Sequence, residues 1–478
     1  MRQLSAAVEV AQWAREEFGH AQLGNSRRTA RLVSIGAAVA RKPGGTVSEV
    51  MKTDAARQAA YDFLESEQID PTAIMVAVAL ACVLRACQYP YVFVPVDGSS
   101  VNLTDTVGAK GFGSVGSRAR GARGLKMINS VAVSPGGVPL GLLAQVWWAR
   151  GARHSKHHRA RKVQDKETRY WLDAIDRSVE LVDAQPQAPV LWFQLDREAD
   201  SQAPLLRLEA SGHWFTVRAS HDRRLRSDAL QPQYLRRHLQ RQKPLGTYYL
   251  DVSPSPHRKA REARMVVRVA RVVLDLVDKW TKKRRPLELN VVWAVERGTT
   301  PKGEKPLDWC LLTNHPVDDF QQACEVIRGY SQRWRVEDFH RTWKRGGCNV
   351  ERCQLRDPAR VIKWATILAA NAMRIERLKH LSRKQPDLPA SVELNPYEIQ
   401  AVILLKRKYK KRTEQISDSM PTVGQATTWI AELGGYTGKS SGGPPGSVTI
   451  GRGMEVVRAA ADVLEVLDRR KGRGRKGP

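Results

Sequence analysis

Two apolar runs, each closed by an aspartate, constrain this chain more than any other feature. The first is Tyr-Val-Phe-Val-Pro-Val-Asp at 91–97; the second is Val-Leu-Trp-Phe-Gln-Leu-Asp at 190–196. A continuous apolar stretch of this length reads as a strand buried on both faces, as in a sheet covered by helices. Each strand is expected to end at its aspartate. In open α/β sheets functional side chains gather beyond the strand ends. Asp97 and Asp196 are therefore candidate ligands for a divalent cation, which favours hard oxygen donors. Taken singly, either aspartate reads better as a cap for the loop that follows its strand.

The segments around these strands differ in character. Residues 1 to about 75 carry Ala-rich amphipathic patterns and read as all-helical. Asn25 and Ser26 can cap one of these helices, and the pair Gly44-Gly45 closes it. Arg27, Arg28 and Arg31 sit near its start, where cations oppose the macrodipole and invite an external anion. A solvated basic face is the equal alternative. A helix is expected over roughly 71–88, then strands over 127–134 and 138–148 joined at Pro135-Gly136-Gly137. The basic segment 149–163, with His154, His157 and His158, reads as an exposed loop facing a polyanion rather than as a metal site. A helix over about 166–184 precedes the second aspartate. From about 213 to 313 strands dominate, rich in β-branched and aromatic residues. The span 318–345 reads as a long helix or a broken pair, and 358–382 as another helix. A polar linker over 383–395 leads to a basic helical end, with the tail Arg469–Lys476 expected to lack structure.

Charge narrows the partners. The chain carries 78 Lys and Arg against 49 Asp and Glu, a net +29. Such an excess favours polyanions, and counterion release from phosphates makes nucleic acid the leading partner. A membrane is disfavoured, because no run of about 18 apolar residues could span one. The first residues lack the apolar core of a signal peptide, so a cytoplasmic location is expected. The six cysteines form no Cys-x-x-Cys pair and read as reduced thiols.

A third element sharpens the two aspartates. Tyr330, Arg333, Glu337 and Lys344 follow one another at steps of three, four and seven residues. On one helix these steps return near the same face. A phenol, a guanidinium, a carboxylate and an ammonium would then share a stripe, with Trp334, Phe339 and Trp343 anchoring the helix elsewhere. An ordinary salt-bridged surface, with Arg333 and Glu337 as a pair, is the plainer reading. Apolar flanks favour a partly buried helix, where such charge is costly without a role.

These residues resemble the DDE transposases of bacterial insertion sequences, in the group with a Y-(2)-R-(3)-E-(6)-K signature, and most of all the transposon five type. Tyr330, Arg333, Glu337 and Lys344 fit the signature without a gap. Asp196 lies in Leu-Asp-Arg-Glu-Ala-Asp-Ser, similar to the group's D-R-E-A-D motif, and Asp97 matches its first aspartate. LGNSRRTARLV near the start, GLLAQVWWAR at 141–150 and LDWCLLTNHPV at 307–317 look like further landmarks. One departure is Asn129, where the group often has histidine.

The resemblance implies an α/β fold with an RNase H-like catalytic core and an inserted β subdomain, flanked by helical N-terminal and C-terminal domains. The expected divisions are a DNA-binding domain over 1–75, a catalytic domain over 76–382 with its insertion at about 220–306, and a dimerisation domain over 383–478. It further implies cut-and-paste transposition through a hairpin. Asp97, Asp196 and Glu337 would bind two Mg²⁺ or Mn²⁺ ions. Tyr330, Arg333 and Lys344 would hold phosphate, Trp309 would stack on a flipped base, and Arg218, Arg27, Arg28 and Arg31 would touch DNA. By pattern alone Trp309 reads as a core aromatic. The implied partners are double-stranded DNA, at transposon ends and target, and a second copy of the chain in a synaptic complex. Three rivals stand beside this reading: a descendant that binds DNA without cutting, a basic RNA-binding protein, and a nuclease that cleaves without joining.

Overall fold

The computed structural model describes residues 9–116, 121–151, 162–226, 233–252, 254, 258–277, 283–410, 412–439 and 443–474. The loop histidines His154, His157 and His158 lie outside these residues. In chain order come α1 (Glu9–Phe18), α2 (Ser26–Arg41), α3 (Val47–Val50), α4 (Asp54–Glu65) and α5 (Pro71–Ala86). Then follow β1 (Tyr91–Asn102), β2 (Gly113–Ser114), β3 (Arg123–Val133), β4 (Pro139–Trp148), α6 (Thr168–Asp183), β5 (Val190–Leu195), α7 (Gln202–Ala210) and β6 (Trp214–Arg218). Next are β7 (Arg224–Leu225), β8 (Gln233–Tyr234), α8 (Leu235–Arg241), β9 (Gly246–Val252), β10 (Arg261–Val277), β11 (Arg284–Glu296) and β12 (Asp308–Thr313). The chain closes with α9 (Phe320–Ser331), α10 (Trp334–Arg345), α11 (Pro358–Lys384), α12 (Pro396–Tyr409), α13 (Val423–Leu433) and α14 (Ser447–Gly474). Among the described residues no helix is long and apolar enough to cross a membrane.

Local chemistry sets many boundaries. Asn25 caps α2 by accepting from the Arg28 N–H, and Asp357 caps α11 ahead of a proline at its first position. Such caps satisfy backbone donors that a helix start leaves open.

The chain divides into two compact units. One comprises Tyr89–Asp97 and Ser155–Trp334. Here β5 pairs in parallel with β1, Tyr91 beside Val190 and Pro95 beside Gln194, and with β6 on its other side. β6 then pairs antiparallel with β12, β12 with β11, and β11 with β10. β7 and β9 both pair with β10. Phe93, Trp192, Phe193 and Phe215 are fully buried in this unit. The helix α9 lies so close that a Cβ on Gly329 would meet the Phe93 ring at 2.6 Å.

The other unit comprises Met1–Gln88, Gly98–His154 and Arg335–Pro478. β3 and β4 form an antiparallel hairpin, Met127 beside Trp147, and both α5 and α11 pack on β4. Ile375, Leu378, Val402, Ile430, Ile450 and Val457 join α11 to α12, α13 and α14 in one apolar cluster. α11 is enclosed along most of its length and buries even Lys363, Arg374, Glu376, Lys379 and His380.

Two expectations need correction. β1 does not end at Asp97 but runs on to Asn102. Gly98, Ser99 and Ser100 look like a turn, yet Val101 is buried, and Gly124 of β3 gives room for the Val101 carbonyl, which a Cβ would approach to 1.9 Å. Tertiary pairing overrides local turn propensity there. The expected tail is also shorter, since α14 continues to Gly474. The span 318–345 is the broken pair, α9 then α10.

Candidate functional site

Asp97 stands two residues beyond Pro95 in β1, and Asp196 two beyond Gln194 in β5. The parallel pairing that sets Pro95 beside Gln194 therefore brings both aspartates to the same end of these adjacent strands. Both are partly buried. Asp196 also caps the short turn Arg197–Ala199, accepting from the Glu198 N–H at 2.8 Å. The last aspartate of that motif, Asp200, escaped sequence reasoning. It is buried, accepting from the Ser220 N–H at 2.6 Å, the Ser220 hydroxyl at 3.0 Å and Arg223 Nε at 2.9 Å. It clamps the loop after β6 and is spent on structure.

The four-residue signature does not lie on one helix. The Gln332 and Arg333 N–H groups bond back three residues, to Gly329 and Tyr330, which tightens and ends α9. Tyr330 is thus in the last turn of α9, Arg333 in the link, and Glu337 and Lys344 on α10. Arg333 donates to Asp97 Oδ2 at 3.2 Å, and its guanidinium lies over the Trp334 ring, 4.9 Å from the centroid. Trp334 is 52% exposed, so it anchors nothing as expected of it. Phe339 and Trp343 are fully buried and stacked at 5.6 Å.

Tyr330 is buried with its ring edge on Trp309, 5.6 Å between centroids at 70°. Burial raises its phenol above the ordinary value, against the pull of the nearby Arg333 and Arg218 charges, while Asp196 raises it further. Arg218 donates to the Asp308 carbonyl at 2.9 Å. Trp309, half-buried, pairs with Ala294 on β11. One unit therefore gathers Asp97, Asp196, Arg218, Tyr330 and Arg333 with an aromatic beside them.

Glu337 and Lys344 belong to the other unit. Glu337 is partly buried in the first turn of α10. Lys344 donates to the Ser99 hydroxyl at 2.7 Å, and burial lowers its pKa. Asn129 donates to His340 Nε2 at 2.8 Å and accepts from Gln145 at 2.8 Å. The residue that departs from the group's pattern thus helps to seat α10. At the N-terminus, Arg27 and Arg31 are exposed on α2. Arg28 instead folds back to donate to the Leu23 carbonyl at 3.0 Å, a structural use the sequence did not reveal.

Carboxylate oxygens suit a divalent cation, and Asp97 already draws a cation in Arg333. A second acidic group, Asp338, Glu376 and His380, also brings its ligand atoms within 4.8 Å of one another. There Lys379 pairs with Glu376 and lies 3.6 Å from Asp338, so the protein's own ammonium takes the place of an ion.

Residues 10–69 match the family described as transposase DNA-binding, residues 195–373 the transposase DDE domain, and residues 370–468 the transposase Tn5 dimerisation domain. The DDE stretch contains Asp196 and Glu337, while Asp97 precedes it. A DDE domain set between DNA-binding and dimerisation stretches defines a DNA transposase, an enzyme of a class that uses divalent metal ions. More narrowly, the chain belongs to the DDE transposases that carry a Tn5 dimerisation domain, and it binds DNA and dimerises through the flanking parts.

Proposed function

We propose that the enzyme moves DNA by cut-and-paste, with Asp97, Asp196 and Glu337 as the carboxylates that hold two Mg²⁺ or Mn²⁺ ions. The observation that carries this is the parallel pairing of β1 with β5, through Pro95 beside Gln194, just ahead of Asp97 and Asp196, with Arg333 as counter-ion on Asp97. Glu337 joins them through the signature, four residues on from Arg333. Bound there, the ions would polarise the scissile phosphate and stabilise the attacking and leaving oxygens.

The remaining chemistry belongs to the chain. Arg333 and Lys344 are cationic donors to phosphate, and Arg333 can grip two oxygens at once. Tyr330 offers its hydroxyl to the same strand. A first nick frees a 3′-OH, which attacks the opposite strand to close a hairpin. Water reopens the hairpin, and the 3′-OH end joins target DNA. Each step is a displacement at phosphorus, so one set of side chains serves them all. Trp309 stacks on a base flipped from the hairpin, and stacking worth about 1–3 kcal/mol offsets the unstacking. Arg27 and Arg31 contact the transposon end, with Arg218 closer to the cut.

In this reading β1, β5, β6 and β12 belong to an RNase H-like core, and β7 to β11 form its insertion. Residues 1–75 bind the ends, 76–382 cut, and 383–478 pair two copies in a synaptic complex. The test is incubation of the full chain with its element's end DNA and Mg²⁺. Nicked, hairpin and joined products are expected in that order. Nicks without hairpin or joining would make it a nuclease.

A further inference from the structure

Beside Glu337, α10 is tied down by a buried network that the mechanism does not use. Asp338 and Thr342 lie one turn apart on α10 and meet α11. Thr342 donates its hydroxyl to Glu376 Oε1. Asp338 Oδ2 is 3.6 Å from both Lys379 Nζ and His380 Nε2. Ser447, the first residue of α14, donates to that same Glu376 oxygen at 2.5 Å and accepts from Lys379 at 3.1 Å. Glu376, Lys379 and His380 are all buried. Burial pushes the Glu376 carboxyl up, but His380 and Lys379 outweigh it and hold the group well below the usual carboxylate range.

Such an arrangement is a poor way to gain stability. Buried ion pairs barely repay their desolvation, and apolar replacements of similar volume often stabilise. What a buried polar network supplies is a defined geometry. The family matches show what this one joins. Asp338 and Thr342 lie in the DDE stretch only, whereas Glu376, Lys379, His380 and Ser447 lie in the dimerisation stretch.

We propose that Glu376 is a positioning residue through which the dimerisation stretch holds α10 in place for catalysis. One of its oxygens takes a hydroxyl from α10 and another from the start of α14, so α14 helps to set the position of α10 and with it Glu337. The inference rests on the reading of Glu337 as catalytic.

The experiment uses the full chain and the variants Ser447→Ala and Ser447→Thr. Amide exchange is followed over residues 335–345 without DNA, and Mg²⁺-dependent nicking is followed at saturating end DNA. Removing two hydrogen bonds should raise exchange in 335–345 about tenfold. Nicking should slow several-fold at unchanged DNA affinity, and Ser447→Thr should restore both. Unchanged exchange in 335–345, or an increase spread evenly over the chain, overturns the coupling. Glu337→Gln is run in parallel: wild-type cleavage by that variant would remove the catalytic reading, while the exchange result still judges the network.

Discussion

Replacing His340 by glutamine should flatten the acid side of the stability profile. His340 is 8% exposed on α10. Its Nε2 accepts from Asn129, Asn129 Oδ1 accepts from Gln145, and Gln145 Oε1 accepts from the Thr366 hydroxyl. This sequence of bonds has a direction and requires an unprotonated Nε2. A proton there would set a donor against a donor. Burial first, and the Lys344 charge second, push the imidazole down to about 3 from 6.5. The unfolded chain takes up its proton near the ordinary value, while the folded one does not until far lower. Between these values the folded state binds fewer protons, so stability is full above pH 6.5 and drains as pH falls. The loss is about 1 kcal/mol for each pH unit below that. His213 and His315 are also lowered by burial and slope the same way, so the informative quantity is the difference between variant and parent. Glutamine can still offer an oxygen to Asn129 but has no proton to gain. Thermal unfolding measured from about pH 8 to 5 should show the parent losing stability faster than His340→Gln by about 1 kcal/mol per pH unit. Parallel curves would refute the buried, neutral imidazole.

Other substitutions separate the roles. Asp97→Asn and Glu337→Gln should keep end-DNA binding in a mobility-shift assay and lose Mg²⁺-dependent cutting; full cleavage by both would remove the assignment. Trp309→Ala should slow hairpin closure about 5- to 100-fold, in line with the stacking energy, with a smaller effect on the first nick; equal slowing of both steps would return Trp309 to a packing role. Arg31→Ala should lower the salt dependence of DNA binding by about one phosphate contact. Arg28→Ala should instead reduce the melting temperature, because its guanidinium holds Leu23. Glu398→Ala should cost about 3–5 kcal/mol in denaturant unfolding, since it strands Arg458 in the interior and leaves buried Arg374 only its longer pairing with Glu393.

Much of the architecture was legible because apolar runs announce buried strands. The run at 91–97 and its counterpart at 190–196 supply neighbouring strands, and the long β10 and β11 coincide with the β-branched stretch. The end of β1 was not legible, because Gly98, Ser99 and Ser100 gain their extended shape from a partner distant in sequence. Neither was the break at Gln332 and Arg333. No proline marks it, and the cause is tertiary: Gly329 is pressed against Phe93, and Arg333 is drawn to Asp97. The network around Glu376 was invisible for a different reason. Lysine, glutamate and histidine in a helix read as a wet face, and only their neighbours reveal that α11 is enclosed.

The matches to the DDE and dimerisation families meet at residues 370–373, in the middle of α11. A seam that falls inside one unbroken rod leaves no joint at which the cutting half and the pairing half can be taken apart. A protein truncated at that seam would lose Ile375 and Leu378 from the apolar cluster together with Glu376, Lys379 and His380, the residues that grip α10. Exchanging pairing specificity between relatives would thus mean grafting through a load-carrying axle, and the two activities should be inherited together.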